Sequence, residues 1–427
     1  MVNSLISELE ERNVVAQISD REGLIDHLAA SHRVVYAGFD PSAPSLHLGN
    51  LVPLLTLRRF QLAGHVPVAL VGGATGLIGD PSGRTDERSL NDRATIEDWV
   101  SRITAQINRF FDDEVENSVQ VVNNLDWTES LGMIGFLREI GKHFSVNAMI
   151  QRDSVKSRLD REGSGISFTE FSYMLIQAND YLELARKYGC TLQIGGSDQW
   201  GNIVSGMDLV RRILRQDVFG LTFNLLTRDD GTKFGKSESG ALWLDPELTS
   251  PYSFYQYFMN SADADVDQLL ATFTFLTRET RAGLRESRLE EPQKRESQMT
   301  LAKELTTLVH GASATRSAEK ITEALFQADV SSLGMSELEQ LWQDGLDRAE
   351  VHESTPVVVA LAEAGLAPSR GAARRLIRSG SVESNGVRIS DEDARLSHAD
   401  AMFGRFHLIK RGRKSWCIAR HMDLDDE

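Results

Sequence analysis

The sequence predicts an α/β protein: a parallel sheet covered by helices on both faces, then an α-helical region, then a small α+β module. Three observations carry that prediction. Between residues 33 and 226, short apolar runs alternate with amphipathic segments of helical spacing, the pattern of parallel strands joined by helical crossovers. Over residues 251–346 strand signals give way to long stretches of helical periodicity. From residue 356 a helix-rich start leads into short strand signals around an Asn385-Gly386 pair, the composition of a tight hairpin turn.

Taken in order, residues 34–39, 66–71, 119–122, 191–194 and 221–226 read as strands. Residues 51–63 and 95–111 have helical spacing, and Pro53 then falls in a first turn, where a missing N–H costs least. Parallel sheets of this kind bind ligands beyond the carboxyl ends of their strands. Asp40, Asp80 and Asp198 each follow a strand toward that rim. Residues 295–309 and 318–326 are the clearest helices of the second region. The stretch 347–355 is polar, acidic and ends at Pro356, which reads as a linker. The expected division is 1–246 for the α/β domain, 247–346 for the helical domain, 347–355 for the linker and 356–427 for the module.

A chain of 427 residues with 41% hydrophobic and 25% charged content has the bulk properties of an ordinary globular protein of two or three domains. Residues 1–12 lack the basic and apolar regions of a signal peptide. The most apolar stretch, 66–78, is too short for a membrane span, so no membrane association is expected. Cys190 and Cys417 are the only cysteines, which excludes a disulfide framework and points to a reducing, cytoplasmic setting. The net charge of -16 hides an asymmetry: residues 369–421 carry twelve Arg/Lys against five Asp/Glu, a local +7. A basic module on an acidic body is expected where one part meets a polyanion.

Two short segments carry the chemistry. His47-Leu48-Gly49-Asn50 stands at a helix start, where neutral donors and a glycine let a phosphate approach the backbone. Lys233-Phe234-Gly235-Lys236-Ser237 is a lysine loop, flexible through Gly231 and Gly235, able to bring positive charge to a departing pyrophosphate. No Walker A loop occurs. Together the segments describe activation of a carboxylate with ATP. No enzyme nucleophile is required, so catalysis is positioning and charge stabilisation.

With these residues and four longer runs, the chain resembles the class I aminoacyl-tRNA synthetases, and among them the bacterial tyrosyl-tRNA synthetases. The runs are Gly72-Gly-Ala-Thr-Gly-Leu-Ile-Gly-Asp-Pro-Ser-Gly83, Gly141-Lys-His-Phe-Ser-Val-Asn147, Ile166-Ser-Phe-Thr-Glu-Phe-Ser-Tyr173 and Gln193-Ile-Gly-Gly-Ser-Asp-Gln-Trp-Gly-Asn202. The family's His-x-Gly-His and Lys-Met-Ser-Lys-Ser motifs stand here as His47 to Asn50 and Lys233 to Ser237, with Asn50 in place of the commoner second histidine. The resemblance implies a Rossmann-like catalytic domain with a dimerisation insertion, a helical anticodon-binding domain and an S4-like RNA-binding module. It implies a two-step reaction: tyrosyl-adenylate formation with loss of pyrophosphate, then transfer to the terminal adenosine of the tRNA.

The same resemblance assigns roles. His47, Asn50, Lys233, Lys236 and Ser237 would be catalytic. Tyr36 and Asp180 would meet the substrate phenol, Asp80, Tyr173 and Gln177 its ammonium, and Gln193 its carboxylate side. ATP would meet Asp40, Ser42, His47, Gly49, Asn50, Gly196, Asp198, Gln199, Lys233 and Lys236. Tyr173, Gln177 and Asp180 recur at helical spacing on one face; with Phe168, Phe171 and Met174 beside them they read as a pocket wall. Magnesium is expected to arrive with ATP on phosphate oxygens, and no protein-bound metal is expected.

For tRNA, Arg370, Arg374 and Arg378 share a helix face beside Arg375, and Lys410, Arg411, Arg413 and Lys414 form a second cluster. Such surfaces read RNA shape and phosphates. A homodimer is implied through the insertion at 142–168. Two rivals remain at this stage. One is a nucleotidyltransferase of the wider His-x-Gly-His group, which has no use for the basic module. The other is a noncatalytic RNA-binding protein, against which His47, the lysines and the pocket residues speak.

Overall fold

The computed structural model describes residues 5–80, 90–152, 155–156, 159, 165–224, 234–237 and 240–422, with 236–237 described by their backbone alone. Lys233 therefore lies outside the described residues, as do the side chains of Lys236 and Ser237. Contacts divide the chain into two compact units, Met1–Leu244 with Ala262–Glu286, and Asp245–Ser261 with Ser287–Glu427. The helical stretch read over 247–346 is thus shared between them.

In the first unit, β1 (Val15–Ile18), β2 (Val34–Phe39), β3 (Val66–Val71), β4 (Gln120–Asn123), β5 (Cys190–Gly196) and β6 (Phe219–Phe223) form one sheet in the order β1-β6-β5-β2-β3-β4. The four pairings among β2 to β6 are parallel. The sheet is not wholly parallel, because β1 runs antiparallel on the β6 edge. Its four residues include Gln17 and show no alternating burial, so it carried too little apolar signal to be read as a strand. Residues 225–226, read as the end of the last strand, lie outside the described residues.

The strand order reverses between β5 and β2, so both carboxyl ends open onto one crevice. The first helix after β2, Leu48–Leu62, begins three residues before the expected start. Pro53 consequently lies inside the helix and not in its first turn, and the Gly49 carbonyl loses the N–H it would otherwise accept. A further short pair, β7 (Lys236–Ser237) and β8 (Gly240–Ala241), is antiparallel.

Two buried guanidinium groups finish the helix Val266–Phe273. Arg12 donates to the carbonyls of Ala271, Thr274 and Leu276. Arg59 donates to those of Thr272 and Thr274 and stacks over Phe275. Carbonyls at a helix C-terminus lack intrahelical donors and carry partial negative charge, so a buried cation answers both needs. Burial, then the neighbouring Arg12, lowers the Arg59 pKa to about 9; at neutral pH it remains charged.

The second unit holds the helices Pro251–Met259, Glu296–His310 and Ala312–Gln327. After them come β9 (Asp347–Val351), β10 (Thr355–Pro356), β11 (Val382–Ser384), β12 (Val387–Arg388), β13 (Arg395–Leu396), β14 (Phe406–Arg411) and β15 (Ser415–His421). Five strands form a sheet in the order β12-β11-β14-β15-β9. The stretch read as a linker is therefore a strand for most of its length, parallel to β15. Its polar residues face out while Ala349 and Val351 enter the core with Leu361, Ile377, Val382 and Cys417; one-sided burial, not absence of structure, explains its composition. Both cysteines are free and buried. Among the described residues, no helix is long and apolar enough to cross a membrane.

Replacing Arg59 by Met keeps the apolar stem but strands the Thr272 carbonyl. The expected loss is about 3 kcal/mol, read as a lowered urea midpoint with an unchanged slope.

Candidate active site

The floor of the crevice is a buried polar cluster. Tyr36 on β2 is wholly buried, and its hydroxyl has no hydrogen-bond partner among the described residues. Its ring meets Tyr181 edge-on at 5.2 Å. Burial, then the field of Asp180, raises its pKa well above the usual phenol range, so Tyr36 stays a protonated donor. Asp180 belongs to the helix Phe168–Tyr188, where Ser167 caps the start and Gly189 ends it in the left-handed conformation. Trp127 Nε1 donates to its Oδ1 at 2.8 Å and Asn124 Nδ2 to its Oδ2 at 3.0 Å. Burial raises the Asp180 pKa to about 7 against the opposing pull of those two donors.

From Asp180 a chain of hydrogen bonds runs toward the rim. Asn124 Nδ2 also donates to Thr75 Oγ1 at 3.1 Å, and Thr75 Oγ1 donates to Asp40 Oδ1 at 2.6 Å. The Tyr173 hydroxyl donates to Asp40 Oδ2 at 2.7 Å. The Asn124 carbonyl oxygen accepts the backbone N–H of Ala74, and Asn123 that of Gly73, which together cap the short helix Gly73–Ile78. Gly72 is obligatory: a Cβ there would stand 2.0 Å from Asp40 Oδ1. Tyr173 therefore spends its proton on Asp40 and offers a substrate only its lone pairs. Asn124, Thr75 and Trp127 were missed in the sequence. The one signal was an asparagine pair at the carboxyl end of β4.

Nearby, Asp80 Oδ2 accepts from Gln199 Nε2 at 2.7 Å, and Gln199 Oε1 accepts from Asn202 at 3.1 Å. Gln199, assigned to ATP, is thus tied to an assigned tyrosine residue. Gln193 is buried and Gln177 half-buried, and the Oε1 atom of each has no partner among the described residues. Gly196 ends β5, and Asp198 is exposed in the turn that follows. Phe168, read as pocket wall, is 78% exposed; it stands at the open end of its helix and lines nothing.

His47 caps the helix Leu48–Leu62 in an unusual way. Its Nδ1 accepts the Gly49 N–H at 3.0 Å, while Asn50 Oδ1 accepts the His47 N–H at 2.9 Å. Because a backbone N–H can only donate, Nδ1 is unprotonated and the proton of the neutral ring sits on Nε2. Burial lowers the His47 pKa, which favours that neutral donor. Gly49 carries no Cβ because one would lie 2.8 Å from His47 Cε1. Asn50 commits its carbonyl to the cap and keeps its amino group for other partners. The backbone at Leu46 to Leu48 also pairs with Leu242 to Leu244. Ser42 is exposed at the same rim.

In the second unit the basic residues separate into two kinds. Arg378 forms a two-pronged ion pair with Glu392 at 2.7 and 3.0 Å. Lys410 lies 3.7 Å from Glu383 and over the Trp416 ring, and Arg411 donates to the Leu366 carbonyl. Those three serve the module itself. Arg370, Arg374 and Arg375 on the helix Arg370–Arg378, with Arg413 and Lys414 on the β14–β15 turn, are exposed.

Residues 29–327 match the family model of class I tRNA synthetases (W and Y), and residues 337–419 match the tyrosine–tRNA ligase SYY-like C-terminal domain. A tyrosine–tRNA ligase of Aliivibrio fischeri is 54% identical over 414 residues, covering 96% of this chain and 97% of its own. One of Escherichia coli is 51% identical over 417 residues, covering 97% and 98%. Among solved structures, a C-terminally truncated Aspergillus nidulans mitochondrial tyrosyl-tRNA synthetase is similar with a TM-score of 0.69 and 31% identity, over 76% of this chain and 94% of its own.

The raised Asp180 pKa has a signed consequence. Below pH ~4 the group is protonated folded and unfolded. Between about 4 and about 7 only the unfolded chain loses the proton, so this group removes stability as pH rises, by about 4 kcal/mol at most. Asp180→Asn has a lower baseline, since its NH₂ faces a donor, but lacks that slope. Urea midpoints of both proteins from pH 4 to 7.5 check this; parallel curves would contradict it.

Proposed function

The chain belongs to the class I family of tyrosine and tryptophan tRNA synthetases, and from that membership we propose how its residues perform the reaction. That reaction is the ATP-dependent ligation of L-tyrosine to tRNA(Tyr): tyrosyl-adenylate forms and pyrophosphate leaves, then the tyrosyl group passes to the 3′-terminal adenosine.

One observation carries the assignment of the amino-acid pocket. Buried polar atoms are nearly always paired, yet the Tyr36 hydroxyl, Gln193 Oε1 and Gln177 Oε1 lack partners among the described residues. All three belong to residues assigned to tyrosine on other grounds. A bound tyrosine would supply what they lack: a phenol at Tyr36 and Asp180, and amino-acid polar groups toward Gln177 and Gln193. The ammonium would meet Asp80, Gln177 and the Tyr173 oxygen, whose proton is committed elsewhere.

For ATP, His47 Nε2–H and the Asn50 amino group are neutral donors at a helix N-terminus, where the macrodipole also favours phosphate. We assign Ser42 and Gly49 to the phosphates, and Asp40, Gly196 and Asp198 to the ribose end. Lys233, Lys236 and Ser237 are assigned from sequence alone to the pyrophosphate. Magnesium would arrive on the phosphate oxygens and add its charge there. Charge moves onto the departing pyrophosphate in the transition state, so these groups act mainly on rate.

The exposed apolar side chains of Val146 and Phe168, at 57% and 78%, support a homodimer through the insertion at 142–168. The cytoplasm suits two buried free thiols. The helical region 247–346 is proposed for the anticodon, and 356–427 for general tRNA contact, through Arg370, Arg374, Arg375, Arg413 and Lys414.

Tyrosine-dependent exchange of pyrophosphate into ATP tests the reading; its absence from folded protein would overturn it. In that assay Tyr36→Phe should lose about 1–3 kcal/mol of discrimination against phenylalanine, roughly 10–100-fold in relative kcat/KM. An unchanged ratio would remove Tyr36 from the pocket.

Neutralising Arg370, Arg374 and Arg375 together should weaken tRNA binding and flatten the salt dependence by about 2–3 in log–log slope. Arg378→Ala, which breaks an exposed internal pair, should leave that slope nearly unchanged and cost little stability. Binding titrations at four salt concentrations distinguish the two.

A further inference from the structure

The second unit gathers a histidine and carboxylate cluster that the ligation chemistry does not use. Glu353 lies between β9 and β10, His398 follows β13, His407 is on β14, and His421 ends β15. Glu353, His398 and His421 each present a ligand atom within 4.8 Å of the others. The His398 and His421 rings stack with centroids 4.0 Å apart.

The hydrogen bonds around the cluster fix which ring nitrogens carry protons. His398 Nδ1 is 2.8 Å from the Gly404 carbonyl, which can only accept, so Nδ1 carries the proton. Nε2 is then the ring nitrogen left for a ligand, and it lies 3.9 Å from Glu353 Oε2. Glu353 Oε2 is itself oriented by the His398 backbone N–H at 2.9 Å. His421 is 1% exposed, its Nε2 is 3.2 Å from His407 Nε2, and its Nδ1 has no partner among the described residues. Two ring nitrogens at that distance hold one proton between them, so their contact is an N–H···N hydrogen bond.

We propose that Glu353, His398 and His421 bind one zinc ion, through a carboxylate oxygen, His398 Nε2 and His421 Nδ1, with water as fourth ligand. Two imidazoles and a carboxylate suit zinc, and each histidine already has the outer partner that such ligands use: Gly404 for His398 and His407 for His421. His407 is a positioning residue, accepting the Nε2 proton that His421 must carry when Nδ1 ligates. Ligand atoms around tetrahedral zinc stand about 3.4 Å apart, so the cluster must close by about an ångström. Glu353 and His398, both exposed, can move that far. The ion would tie the turn after β9, the segment after β13 and the end of β15 into one clip. The proposal departs from the expectation of no protein-bound metal, which rested on spacing motifs that ligands so far apart along the chain do not form.

The test is calorimetric titration of untagged full-length protein with zinc, with magnesium as the control. One zinc per chain is expected, with no comparable magnesium uptake. Glu353→Gln and His398→Ala, both at exposed positions, should each weaken zinc binding at least tenfold. Cobalt substitution should give a tetrahedral d–d spectrum that both variants lose, and zinc should raise the melting temperature of wild type alone. Pyrophosphate exchange should be unaffected by either variant. No zinc uptake, or uptake equal in wild type and both variants, would overturn the site.

Discussion

The catalytic unit depends on one buried chain of hydrogen bonds, from Trp127 and Asn124 on Asp180, through Thr75, to Asp40 and Tyr173. It crosses from the helix Phe168–Tyr188 to the ends of β2 and β4, so it fixes the distance between the pocket floor and the rim. Each hydroxyl proton in it has one acceptor, and each carboxylate oxygen named has at least one donor. A buried network satisfied in this way is rigid, and a half-satisfied one is destabilising. That explains the steric economy around it. Gly72 leaves room for Asp40, and Gly73 leaves room for Asn123.

The start of the helix Leu48–Leu62 uses a different device. The capping box of His47 and Asn50 satisfies two backbone donors at the helix start, and in doing so it chooses the histidine tautomer. The same substitution that departs from the family's usual motif thus has a structural use: the Asn50 carbonyl oxygen accepts the His47 N–H. A histidine at that position can make the same cap only through one ring nitrogen. The amide does so while keeping two N–H donors at the rim.

Much of this was legible in the sequence because the informative signals are local. The strands at 34–39 and 66–71 announced themselves by apolar runs, and the motif residues by their company. What stayed hidden is nonlocal. Thr75 and Asn124 carried no signal of their own, since nothing in a sequence says that the helix after β3 will meet the residue after β4 beside Asp180. β1 and β9 were missed because edge strands covered on one side need few apolar residues. Pro53 was misplaced because the helix start was read from apolar spacing, which ignores a cap three residues earlier. The arginine face at 370–378 was legible as basic, but only the fold reveals that Arg378 is spent on Glu392.

Specificity follows from what the network leaves unpaired, on the proposed assignment of the pocket. Asp180 has a donor on each oxygen before any substrate arrives, so it does not need a phenol to be stable. Tyr36 does: its hydroxyl is buried and has no partner among the described residues. Phenylalanine fits the same volume but returns nothing to that hydroxyl, which then keeps its desolvation cost of about 1–3 kcal/mol. Asp180 adds a second, charge-dependent part. As a carboxylate it can accept from the phenol, whereas its protonated form competes as a donor. With a pKa raised to about 7, the donors Asn124 and Trp127 are what keep the accepting form accessible near neutrality. Discrimination in this reading therefore rests first on the Tyr36 hydroxyl that meets the ligand, and second on Asn124 and Trp127, which act on it only through the carboxylate they hold.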